Sequence, residues 1–152
     1  MIRLYNDYFG GGMNAIVFQE MREARGLAYS ASAGFVLPRD LDHTMYYTNF
    51  IATQNDKMMD ALGAFDEIIN EMPVSEAAFN LAKENMIANI RTNRVVKADV
   101  LWSYLSARRL NLKEPIDKLL FEKIPGYTLD DVVKFQQAQK LSSVDRTGLG
   151  DV

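Results

Sequence analysis

The sequence predicts an α+β fold, an antiparallel sheet with helices packed on one face. Three observations carry this. A helical segment comes first, two stretches of strand character follow with only a turn between them, and helical periodicity fills the remainder. Strands followed by a run of helices give this layering, because each helix must bury its apolar stripe against the sheet or a neighbour.

The elements follow in order. Residues 2–9 read as a helix that runs into Gly10, Gly11 and Gly12, and glycine ends helices well because it takes positive φ freely. Met13, Ile16, Val17, Met21 and Ala24 recur at spacings of three and four, which predicts one apolar helix face. Arg25-Gly26 supplies a stop signal. Over residues 27–37, Tyr29, Ala31, Ala33 and Phe35 alternate and are expected on one face of a strand. Pro38-Arg39-Asp40 is a turn, and residues 44–53, rich in Thr, Tyr, Phe and Ile, form a second strand. So short a connection joins antiparallel neighbours.

From Asn55, an expected N-cap, Met58, Leu62, Phe65, Ile69 and Met72 define a helical stripe that Pro73 ends. Ser75 caps the next helix, whose buried stripe is Phe79, Ala82, Met86 and Ile90. A third helix over residues 98–112 is expected to bury Leu101, Tyr104, Leu105 and Leu112 and to end at Glu114-Pro115. A short helix near residues 116–121 comes next, and Thr128 with Asp131 is a capping-box-like start for the last helix, to about Gln139. Residues 142–152 are polar and glycine-punctuated, the expected root of a further strand. Two strands alone make a poor sheet, so more strands are expected from an earlier segment, the tail or a partner.

The chain has 152 residues, 48% hydrophobic and 24% charged, with a net charge of −3. That is one domain's length, enough to bury roughly 70% of the unfolded surface. The mild acidity argues against nucleic acid or an anionic membrane as a main partner. No apolar run approaches a membrane span, and the first eight residues do not form a signal peptide.

The chemistry is bounded first by what is missing. There is one histidine, His43, and no cysteine. Catalytic zinc normally takes three ligands from His, Cys, Asp and Glu. Neither H-E-x-x-H nor H-x-x-E-H can be written with one histidine, and no G-x-S-x-G elbow presents a serine. His43 sits in a charged turn and reads as an exposed loop residue. Gly10, Gly11 and Gly12 lack the lysine and spacing of a phosphate loop. They read as a tight helix-to-helix turn, or as a loop lining a cavity where another backbone approaches.

The segment from Gln19 to Tyr29 is the most informative. Arg22 stands off the apolar stripe, the chain reverses at Gly26, and Tyr29 begins the strand. The reversal can bring a guanidinium and a phenol to one rim of the sheet, where both would donate hydrogen bonds to a peptide carbonyl. The competing arrangement is an ion-pair set of Glu20, Arg22, Glu23 and Arg25 with Tyr29 half buried. A basic span, Arg91, Arg94, Lys97, Arg108, Arg109 and Lys113 against Asp99 alone, reads as a solvated face or as contact with an acidic partner domain or acidic substrates. Trp102 and Tyr104 within it fit core packing.

Gly10 to Gly12, residues 18–30 and the stretch from Ile124 to Val132 together resemble the C-terminal, zinc-free domain of the insulinase/pitrilysin zinc peptidases, which include the mitochondrial processing peptidases. The likeness runs over roughly residues 5–139. It implies a clam shell of two related domains around a peptide. The first domain carries H-x-x-E-H and the zinc. The second supplies an arginine and a tyrosine that hold substrate and stabilise the tetrahedral intermediate; by position these are Arg22 and Tyr29. Residues 1–152 are then one partial domain, without catalytic residues or metal of its own. Its partners are a homologous zinc-binding domain, in the same chain or another subunit, and a peptide or protein substrate, often bound along a strand edge. A full domain would have more sheet and helix before the glycines and a final strand after the last helix, so an excised piece is expected, from a bacterial periplasmic or cell-envelope parent. The alternative within the family is a non-catalytic scaffold in which Arg22 and Tyr29 are packing residues. Outside it stands a small-ligand binding module.

Overall fold

Helix α1, Ile2–Phe9, opens the chain in the computed structural model, which describes residues 1–93 and 96–139. It is followed by α2, Ile16–Phe18, which runs straight into a π-helical turn, Gln19–Ala24. Strands β1, Ser30–Val36, and β2, Tyr46–Ala52, pair antiparallel, with Ser30 opposite Ala52 and Phe35 opposite Tyr47. A 3-10 turn, Asn55–Lys57, leads into α3, Met58–Asn70; then come α4, Glu76–Thr92, and α5, Lys97–Arg109. Helix α6, Ile116–Lys123, continues through a 3-10 turn, Ile124–Gly126, to α7, Leu129–Ala138. The architecture is the α+β layering expected. The expected strand root at residues 142–152, and Arg94 of the basic span, lie outside the described residues.

Helices cover one face of the sheet. Ala31, Ala33 and Phe35 of β1 point inward, while Val36, Tyr46 and Phe50 on the opposite face are exposed. Buried Leu4, Tyr5, Tyr8 and Phe9 from α1 form the centre of the core. Phe35 meets Tyr5, Tyr47 and Phe135 at ring-centroid distances of 5.6, 4.8 and 5.6 Å, which ties both strands to α1 and α7. The Tyr5 and Tyr47 hydroxyls lie 3.3 Å apart, and burial pushes the Tyr47 phenol up to about 12.

One edge of the sheet is closed. The Asn6 side chain donates to the Phe35 carbonyl at 2.8 Å and accepts from the Phe35 N–H at 2.9 Å, as a neighbouring peptide would. Beside it the Ala33 N–H donates to the Gly10 carbonyl at 3.4 Å. A Cβ on Gly10 would lie 2.0 Å from the Ala33 carbonyl oxygen. Gly10 itself has φ −140°, so it is needed there for close approach and not for the positive φ expected from the sequence.

Two caps are where the sequence puts them. Ser75 Oγ accepts from the Ala78 N–H at 3.2 Å, and Thr128 forms a reciprocal capping box with Asp131. Elsewhere the structure corrects the expectation. The helix expected from Met13 starts at Ile16, and its π turn carries Ala24 out of the apolar face; Met13 and Ala24 are both exposed. Tyr29 precedes the strand and is 78% exposed. Asn55 caps nothing with its side chain, because a 3-10 turn intervenes. The buried side of α3 is Ala61, Ala64, Phe65 and Ile68, so small residues make the contact and Met58 and Leu62 are left outside. Among the described side chains of α5 only Ala107 is buried, while Leu101, Trp102 and Tyr104 are exposed. That helix stops at Arg109, before Glu114-Pro115, because Asn111 adopts φ 53°. The Asn111 and Leu112 N–H groups return to the Arg108 and Ala107 carbonyls, a Schellman closure.

Candidate functional site

The π turn supplies Arg22, and a tight reversal brings the chain back beneath it. Gly26, at φ 59°, makes that reversal possible, since an L side chain is disfavoured there. The Leu27 and Ala28 N–H groups both donate to the Met21 carbonyl, at 2.8 and 3.2 Å. The Tyr29 N–H then donates to the Ala52 carbonyl at 2.8 Å, and Thr53 Oγ1 donates to the Leu27 carbonyl at 2.5 Å. The loop is thus fastened to the helix on one side and to the end of β2 on the other.

This frame brings Arg22 and Tyr29 together. The guanidinium lies 5.1 Å from the Tyr29 ring centroid and 5.2 Å from that of Phe18, in cation–π contact with both. Both residues are exposed, and neither side chain hydrogen-bonds another described residue; the guanidinium has only a loose ion pair to Glu23 at 3.6 Å. All four residues of the expected ion-pair set are engaged, Arg22 with Glu23 and Arg25 with Glu20 at 3.7 Å, but Tyr29 is exposed and not half buried. Arg25 also grips Glu67 with two bonds, at 2.8 and 3.1 Å. That grip holds the Glu67 carboxyl below the usual glutamate range.

Arg22 and Tyr29 line a groove of about 400 Å³ together with Gly26, Thr53, Gln54 and Lys57. Lys57 Nζ donates to the Gly26 carbonyl at 3.3 Å, so it braces the reversal from across the groove. Phe18, four residues before Arg22, is the one participant that helical spacing alone could have revealed. Thr53, Gln54 and Lys57 come from the far end of β2, and nothing local in the sequence marks them. The groove offers two adjacent donors, one a permanent cation with a planar fork and the other a neutral hydroxyl. Such a pair suits a carbonyl or carboxylate oxygen.

Gly10, Gly11 and Gly12 are not part of this site. Gly10 is buried behind β1, Gly11 abuts the Asn6 carbonyl, and Gly12 faces open space. His43 is exposed in its turn and hydrogen-bonded to Asp40. Among the described residues no group of three or more His, Cys, Asp or Glu side chains could hold a metal ion. The described residues therefore do not fit a catalytic zinc.

Residues 1–86 match the model of the peptidase M16 inactive domain. The chain belongs to that family. The matched part contains α1, the glycine turn, the Arg22–Tyr29 reversal, both strands and most of α4. A similar solved structure is a peptidase M16 inactive domain from Pseudomonas fluorescens, with a TM-score of 0.63 and 20% sequence identity over 93% of this chain. At that identity the likeness shows the fold, and this chain spans 33% of that structure's length. No curated protein matches the chain. Membership makes this an inactive domain of the peptidase M16 type. Among the described residues no helix is long and apolar enough to cross a membrane.

Proposed function

We propose that this inactive-domain chain contacts an extended peptide substrate while the peptide is cleaved on a paired, homologous zinc-binding domain. The observation that carries the reading is the pairing of Arg22 and Tyr29. They are adjacent and exposed, hold unused donors and line one groove. In that role they donate to a carbonyl oxygen of the substrate. Their contribution grows as negative charge gathers on that oxygen, which is how preorganised donors lower a barrier.

The second edge of the sheet supports the same reading. Asn6 occupies the Phe35 backbone groups from the side away from β2. By antiparallel alternation, the N–H and C=O groups of Tyr47, Asn49 and Ile51 therefore point away from β1. No described residue pairs with them. An extended peptide added there would gain main-chain bonds, and that edge runs to Ala52 and Thr53, which line the groove.

A scaffold role is the second reading. Membership in an inactive-domain family fits it without further assumption, and Arg22 then serves to clasp Phe18 and Tyr29 across the reversal. Turnover separates the two. Arg22→Gln and Tyr29→Phe in the complete peptidase are each expected to lower kcat by about 10²-fold, the usual loss for one oxyanion donor, with folding unchanged. Wild-type turnover in both variants would leave the scaffold reading standing.

A further inference from the structure

A larger cavity, of about 800 Å³, lies between the end of α4, helix α5 and helix α6, remote in sequence from the Arg22 groove. Its apolar walls are Ile90, Val100, Tyr104, Leu112 and Phe121. Val100 and Tyr104 are each 56% exposed, so these walls offer apolar surface that a ligand would remove from water. The size falls within the range of small-molecule sites, which combine such walls with a few placed polar groups.

The charges around it are unevenly matched. Glu114 and Asp117 both line the cavity, but Glu114 takes Lys118 Nζ at 2.5 Å and Asp117 takes Arg3 at 3.7 Å. Arg108 and Lys113 also line it, and neither forms an ion pair with another described residue. Among the described residues the cavity therefore presents apolar walls, carboxylates that already have ion-pair partners and two cations that have none. A cationic ligand would meet those cations unmatched. A neutral apolar one would make no use of them. A ligand with an apolar body and one carboxylate satisfies both features, and the planar fork of Arg108 suits a carboxylate in particular.

We propose that this cavity is a binding site for an apolar carboxylate. The proposal is independent of any role for Arg22 and Tyr29. Two sources present this chemistry, a fatty-acid-like molecule and the free C-terminus of an apolar peptide.

The test is calorimetric titration of the 152-residue chain with decanoate and with decanol, which has the same chain length and no charge. Decanoate is expected to bind at least tenfold more tightly than decanol. Arg108→Gln with Lys113→Gln is expected to remove that preference with decanol binding and melting temperature unchanged, since both side chains are exposed. Arg108→Lys, which keeps the charge, is expected to retain most of it. A short apolar peptide with a free C-terminus, compared with its amidated form, identifies the source: a carboxylate-dependent affinity above that of decanoate assigns the site to peptide ends, and a lower one to fatty-acid-like molecules. No decanoate binding, equal binding of decanoate and decanol, or a preference that survives the double substitution would overturn the proposal.

Discussion

Helices α1 and α5 both carry large apolar side chains, and they place them oppositely. In α1, Leu4, Tyr5, Tyr8 and Phe9 are all buried, and Asn6 between them closes the edge of β1. In α5, Leu101, Trp102 and Tyr104 are exposed, and among its described side chains only Ala107 is buried. The first helix sits where strands and helices converge, so its large apolar side chains join the shared core. The second touches little besides the cavity it lines. Apolar content thus states that a surface can be buried, and only the placement of neighbours decides whether it is. The division follows the family match, which ends at residue 86, ahead of α5.

The largest expected effect tests the packed side of this contrast. Gly10→Ala drives a Cβ to 2.0 Å from the Ala33 carbonyl oxygen, backbone that cannot swing aside. Gly12→Ala meets nothing within 4 Å. Chemical denaturation should show Gly10→Ala losing about 3 kcal/mol or more, and Gly12→Ala within about 0.5 kcal/mol of wild type. Equal effects would mean that α1 does not press on β1 as described.

Asn6→Ala comes next. It removes two hydrogen bonds and leaves the Phe35 N–H and C=O without their partner, a loss of about 2 kcal/mol. Denaturant midpoints measure it, and Asn6→Asp, which can accept but not donate, should fall between the two. This residue also shows where sequence reading stops. Ser75 and Thr128 were legible because a cap bonds to backbone three residues away, and the Gly26 reversal because it is local. Asn6 was not, because its partner lies 29 residues on. The inward side of α3 was misread for a related reason. Ala61 and Ala64 make the close contact, whereas size favoured Met58 and Leu62. Near the candidate site, the sequence showed that a reversal at Gly26 could bring Arg22 and Tyr29 together, while their role was implied only by the family resemblance; the opposite wall of Thr53, Gln54 and Lys57 became visible only once β2 had folded back beside them.

The smallest expected effect lies on α5. Leu101→Ala and Trp102→Ala should each change stability by less than about 0.5 kcal/mol, as surface substitutions do. A loss of 2 kcal/mol in either would place that side chain in the core and erase the contrast with α1. The Arg25–Glu67 grip gives a modest pH dependence of its own. The Glu67 carboxyl is held below its ordinary value, so the contribution is complete above the usual glutamate range and is lost as pH falls through the lowered value. Acid titration of melting temperature in Glu67→Gln should lack that part of the decline.

The most direct test of the central claim is an NMR titration of the isotopically labelled chain with an extended peptide, following backbone amides and the Arg22 Nε–H. Shifts are expected to concentrate at Arg22, at Tyr29, along β2 and through Thr53, Gln54 and Lys57, and to weaken when Arg22→Gln and Tyr29→Phe are combined. Binding that leaves these signals unmoved, or that persists unchanged in the double variant, would contradict the account.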